Sequence, residues 1–143
     1  MDIQRFTHKA QEAVLAAQDV ARLNGQPEVG TLHLLRALLD QADGVVVQVL
    51  GRMGIDTRQL DVQLTSALHR LPQVRGDADL TLSRALRDVL VAAHDSLAPF
   101  GDQYVSTEHL LLALIERGDE RVKPLLAENG VTSDGVLRAL QAV

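Results

Sequence analysis

The chain has 143 residues and a net charge of −5, with both signs scattered and no lysine or arginine cluster, which argues against nucleic-acid binding by phosphate neutralisation. Apolar residues make up 46% but aromatics only 2% (Phe6, Phe100 and Tyr104), too few for base-stacking platforms and suited to a Leu, Val and Ala core of packed helices. Cysteine is absent, so there is neither a disulfide framework nor a thiolate nucleophile.

Met1-Asp2-Ile3-Gln4-Arg5 lacks the basic-then-apolar run of a secretory signal. No stretch approaches the ~18–20 apolar residues of a membrane span. The expectation is a soluble, cytoplasmic domain. Thr7 is placed to cap a first helix, in which Ala10, Ala13, Val14, Ala17 and Ala21 recur at three- and four-residue spacing. Asn24-Gly25 reads as its stop. Val29-Gly30-Thr31-Leu32-His33-Leu34-Leu35 then opens a second helix, capped by the threonine and apolar nearly all round, which belongs in the middle of a bundle. A third helix is expected over about 45–52, closed by Gly54, and a fourth after the Asp56-Thr57 cap, carrying Leu60, Leu64, Ala67 and Leu68.

The same unit then recurs. A constant step of 76 residues carries Thr31 onto Thr107, Gly25 onto Gly101, Leu50 onto Leu126, Gly54 onto Gly130 and Leu64 onto Leu140, so that 7–67 lies over 83–143 without a gap. Ser83 starts the fifth helix, with Leu86, Val89, Leu90, Ala93 and Leu97 on one face, and Pro99 and Gly101 end it. Val105-Ser106-Thr107-Glu108-His109-Leu110-Leu111 opens the sixth, the seventh covers about 121–129, and Thr132-Ser133 caps the eighth. Pro72 and Gly76 mark a linker over about 70–82, with Leu71 and Val74 as residues that can fasten it to the bundle. No stretch alternates long enough for a strand. The expected fold is all-α: eight helices forming two four-helix repeats, packed about a pseudo-twofold axis as a single domain over 1–143.

No catalytic chemistry is legible. His33 and His109 occupy equivalent positions, but neither has another histidine or an acid four positions away to share a metal. Each is read as an imidazole near a helix start, bonded to neighbouring backbone. His8, His69 and His94 are expected in solvent. There is no G-x-x-x-x-G-K-[ST] and no G-x-S-x-G. Asp40, Asp43, Glu116, Asp119 and Glu120 fall on helix ends and loops, as a solvated surface would place them. Catalytic, metal and cofactor sites are all read as none.

The doubled unit resembles the N-terminal domain of Clp/Hsp100 AAA+ unfoldases over essentially the whole chain. The residues that carry the resemblance are Phe6-Thr7, Gly30-Thr31-Leu32-His33-Leu34-Leu35 and Tyr104-Val105-Ser106-Thr107-Glu108-His109-Leu110-Leu111. Leu68-His69-Arg70-Leu71-Pro72-Gln73-Val74 is similar to the joint between repeats in the ClpB disaggregase. The ClpC type tends to keep G-T-E-H in both repeats, whereas Leu32 stands here in the first; ClpB is the preferred subfamily. The missing Walker motif and the end at Leu140-Gln141-Ala142-Val143 suggest a domain excised from a longer ATPase, with ATP bound elsewhere in that parent.

The resemblance implies recognition of unfolded or aggregated client polypeptide for delivery to the ATPase ring. Adaptors or the domain's own ring are the alternative partners, with neither nucleic acid nor membrane, and a monomeric isolated domain. The residues it implies for binding are Thr7, Ser83, Asp102 and Glu108. The first two double as N-caps, and the last two form an acidic rim beside an apolar groove drawn through Leu86, Leu90 and Leu110. A ClpC-like reading implies recognition of phosphorylated arginine by a repeat glutamate and a helix N-terminus. With Glu108 in one copy only, at most one such site is expected.

Overall fold

The computed structural model describes residues 2–76, 79–101 and 103–142, apart from the side chains of Pro99 and Phe100. After a 3-10 turn at Ile3–Arg5, the first repeat contains α1 (His8–Leu23), α2 (Thr31–Asp40), α3 (Val45–Arg52) and α4 (Thr57–His69). The second contains α5 (Arg84–Asp95), α6 (Leu97–Phe100), α7 (Thr107–Arg117), α8 (Lys123–Glu128) and α9 (Ser133–Gln141). The all-α double repeat is as the 76-residue step predicts. The one-turn α6 is the addition: α5 stops at Asp95, Ser96 turns its Oγ onto the Ala93 carbonyl at 2.7 Å, and a short helix follows up to Gly101.

Side-chain caps set the starts of α1, α4, α5 and α9. Thr7 Oγ1 accepts from Ala10 N–H at 3.1 Å and Ser83 Oγ from Leu86 N–H at 3.0 Å. Asp56 and Thr132 do the same for α4 and α9. Thr7→Ala and Ser83→Ala are each expected to cost about 1 kcal/mol in urea unfolding, because a first-turn amide loses its acceptor. Should either residue also contact a ligand, its affinity loss would exceed what that stability change explains. In α2 and α7 the caps are Gly30 and Ser106, one residue earlier than the threonines expected there. Thr31 is instead the first helical residue, and its hydroxyl donates to Asp119 Oδ1 at 2.8 Å, tying α2 to the loop before α8.

The two repeats complete each other. Phe6 bridges Val105 in parallel, and the same step carries this pair onto Leu82 and Val29, which pair in the two-residue parallel ladder Glu28–Val29 with Thr81–Leu82. Thr7 N–H reaches the Val105 carbonyl at 2.9 Å, and Ser83 N–H reaches the Val29 carbonyl at 2.8 Å. Strands this short carry no alternation, so periodicity could not announce them. Across the pseudo-twofold, α3 packs on α9 and α4 on α8, while α2 and α7 touch at the centre. Those central helices bury most of their side chains and feed one core cluster spanning both repeats. In the linker, Val74 N–H donates to the Gly25 carbonyl at 2.9 Å, and Leu71 packs against the core while the Val74 side chain stays exposed.

Candidate functional site

The two equivalent histidines serve the backbone. His33 sits in the first turn of α2, where its Nδ1 accepts from Gly30 N–H at 2.9 Å. Its Nε2–H therefore donates to Gln26 Oε1 at 2.6 Å, and Gln26 Nε2 donates to the Leu68 carbonyl at 2.6 Å. This buried chain fixes the neutral tautomer and pins α4 to α2. Burial pulls the His33 pKa down from 6.5 to about 4. His109 repeats the motif: its Nδ1 lies 2.9 Å from Ser106 N and 2.8 Å from Ser106 Oγ. Among the described residues, no group of three or more His, Cys, Asp or Glu converges to hold a metal.

A cleft of about 500 Å³ opens at the N-terminal end of α7, lined by Gln103, Tyr104, Ser106, Glu108, His109, Leu112, Leu137 and Leu140. Glu108 lies half-buried in the first turn of α7, where the helix dipole favours a carboxylate. Tyr104 lines the cleft while 56% exposed, and Leu112, Leu137 and Leu140 are half-buried and supply its apolar lining.

Comparison of the repeats shows how the cleft differs between the copies: Pro27, Glu28, Gly30, Leu32 and His33, the counterparts of Gln103, Tyr104, Ser106, Glu108 and His109, line a smaller recess of about 140 Å³ in the first repeat. The step carries Leu112 back to Arg36 and Leu137 back to Asp61. In the first repeat those two side chains form an ion pair at 2.6 Å, and Arg36 also reaches Asp40 at 3.1 Å. The counterpart of Glu108 is Leu32, which is buried. Where the first repeat pairs these charges, the second has two half-buried leucines and the larger cleft.

The expected site residues divide. Glu108 lines the cleft. Thr7 does not line it but bonds to Val105, next to Tyr104, which does. Ser83 is a buried cap that borders the first repeat's smaller recess, of about 140 Å³, at the start of α2. Asp102 lies outside the described residues. The groove drawn through Leu86, Leu90 and Leu110 needs correcting: these residues are only 1%, 1% and 0% exposed, sealed where α5 packs on α7. Periodicity identified them as apolar but could not tell core from groove. The apolar floor is instead Leu112, Leu137 and Leu140. The signal that could have found two of them is the exchange of Arg36 and Asp61 for leucines between otherwise similar repeats.

The geometry defines a class: a doubled four-helix domain with an apolar, acid-rimmed cleft in its second copy. The family model of the Clp repeat (R) N-terminal domain matches residues 5–140, so the chain belongs to the Clp N-terminal repeat family. The matched stretch is the repeat domain and not an ATPase module. The chain is 35% identical over 148 residues to the chaperone protein ClpB of Bacillus cereus, covering 100% of this chain and 17% of that protein. It is 38% identical over 141 residues to ClpB of Propionibacterium freudenreichii, covering 97% and 16%. The chain thus spans about a sixth of the length of these curated relatives. Among solved structures, the Hsp104 N-terminal domain from Candida albicans superposes with a TM-score of 0.83 at 22% identity, covering 96% of this chain and 90% of that one. The N-terminal domain of the ClpV1 ATPase from E. coli gives 0.80 at 22% identity, covering 98% and 86%. At these identities the likeness of the structures shows the fold.

Proposed function

We propose that this domain is the substrate-recognition module of a ClpB-type ATP-dependent disaggregase, taking unfolded or aggregated polypeptide into the Tyr104 cleft for delivery to an ATPase ring. The observation that carries the reading is the second-repeat cleft itself: an apolar floor with one carboxylate at its rim, in a chain of the Clp N-terminal repeat family whose relatives include ClpB chaperones. Leu112, Leu137 and Leu140 suit aliphatic or aromatic client side chains. Tyr104 supplies a rigid amphipathic contact at low entropic cost, and Glu108 favours a neighbouring cation. ATP belongs to the parent protein's ring, to which a mobile tether would present captured segments at high effective concentration.

The test is an NMR titration with an unfolded, carboxymethylated model polypeptide. Amide shifts are expected on Tyr104, Ser106, Glu108, Leu112, Leu137 and Leu140. The double variant Leu112→Arg, Leu137→Asp rebuilds the first repeat's ion pair and puts charge on the apolar floor, so it should stay folded and lose the client. Unchanged binding by that variant, or no shifts with the native chain at near-millimolar client, would rule the cleft out. The absence of shifts would point to a module that contacts its own ring or an adaptor.

A further inference from the structure

On the side of the second repeat formed by the C-terminal ends of α5 and α7 lies a separate cleft of about 530 Å³, lined by Asp88, Val91, Ala92, Asp95, Ser96, Glu116 and Arg117. Asp88, Val91, Ala92 and Asp95 fall at i, i+3, i+4 and i+7 of α5 and so share one helix face. Val91 is 44% exposed at its centre.

The first repeat carries the same pattern, with Glu12, Leu15, Ala16, Asp19 and Asp40 at the positions 76 residues earlier, and Leu15 is 60% exposed. There each carboxylate meets a cation of its own repeat: Lys9 lies 3.7 Å from Glu12, Arg22 is 2.8 Å from Asp19, and Arg36, shared with Asp61, is 3.1 Å from Asp40. The step places Ala85, Ala98 and Leu112 where those three bases stand. Among the described residues, no lysine or arginine forms an ion pair with Asp88, Asp95 or Glu116. Arg117 lines the cleft without pairing with them. Among the described residues Asp95 has only His94 Nδ1, at 3.5 Å; Glu116 Oε1 accepts from Ser133 Oγ at 3.2 Å, and Lys123 Nζ donates to the Glu116 backbone carbonyl at 3.2 Å without pairing with its carboxylate. The carboxylates do not converge as metal ligands. They surround an aliphatic patch instead.

We propose that this face is a second docking surface, for a polypeptide segment that sets an aliphatic side chain on Val91 and Ala92 and brings lysine or arginine to Asp88, Asp95 and Glu116. Charge complementarity selects that occupant: the first repeat meets the same three positions with bases from its own chain, and the second leaves them to a partner. The surface shares no lining residue with the Tyr104 cleft, so either one can fail while the other stands.

The probe is an acetylated peptide of mixed lysine and leucine, titrated into the whole chain and followed by backbone NMR. A lysine–serine peptide and a glutamate–leucine peptide serve as controls. Shifts are expected on Asp88, Val91, Asp95 and Glu116 with the first peptide only. They should vanish near 1 M salt, where the screening length falls to about 3 Å. Asp88→Asn and Glu116→Gln should each weaken binding by up to about fivefold, the upper end for an exposed ion pair. Ala85→Lys with Ala98→Arg restores two internal partners and should abolish binding at unchanged thermal stability. In the first repeat, Lys9→Ala with Arg22→Ala should create new shifts around Leu15. Binding that survives the restored cations, or shifts confined to the Tyr104 cleft, would overturn the proposal.

Discussion

Leu90→Ala and Leu110→Ala are each expected to lower the unfolding free energy by about 2–5 kcal/mol, because both side chains are sealed between α5 and α7 and truncation leaves a cavity there. Against the roughly 5–15 kcal/mol that holds a typical domain together, one such loss is large. The measurement is equilibrium urea unfolding. Client binding by these variants should fall only with the unfolded fraction and recover wherever the variant is folded. Leu140→Ala makes the contrast: its side chain is half-buried in the cleft floor, so its stability cost should be smaller and its binding loss should persist in the folded state. A stability cost below about 1 kcal/mol at Leu90 or Leu110 would contradict the close packing assigned to that interface.

Much of the fold was legible because its determinants are local and written twice. The Thr7 and Ser83 caps, the alanine and leucine faces of α1 and α5, and the glycine stops recur at one fixed step, and each repeat of the pattern supports the other. The histidines were also legible, since an imidazole in a first turn can reach back to the N-cap amide. What periodicity could not supply was coverage. Leu110 and Leu112 stand in one unbroken apolar run, yet Leu110 is sealed by α5 while Leu112 faces a recess beside α9. Only the neighbouring helix decides between them. α6 was hidden for a related reason: Pro99 reads as the end of α5, whereas the chain breaks at Ser96 and takes one more turn. Differences between the repeats mark the candidate cleft better than their agreement does. Where both copies match, the residues cap helices or fill the core; where they differ, at Arg36 and Leu112 or Asp61 and Leu137, one copy pairs two charges and the other lines a larger cleft with leucines.

His33 should make the domain acid-sensitive through its first repeat. The imidazole is only 1% exposed and is held neutral, accepting from Gly30 and donating to Gln26. Its folded-state pKa of about 4 lies below the 6.5 of a free histidine, so as pH falls the unfolded chain takes up the proton first. Stability from this residue is therefore complete above pH 6.5, declines as pH falls from there to about 4, and changes no further below that. The shift corresponds to about 3 kcal/mol in all, with about 2 kcal/mol already lost by pH 5, above the range where most carboxylates titrate. Protonation would also remove the only free acceptor on the ring, so the Gly30 amide would lose its partner and α2 its first-turn tie. Urea unfolding at pH 7, 6 and 5 is the measurement, with His33→Gln as the reference. That variant should be less stable at pH 7, because Gln26 and the Gly30 amide lose well-placed partners, at a cost of about 1–3 kcal/mol. Its stability should nevertheless change less between pH 7 and 5 than that of the native chain, since other titrating groups are common to both. Parallel pH profiles for the two proteins would show that His33 is not the group whose protonation opposes folding.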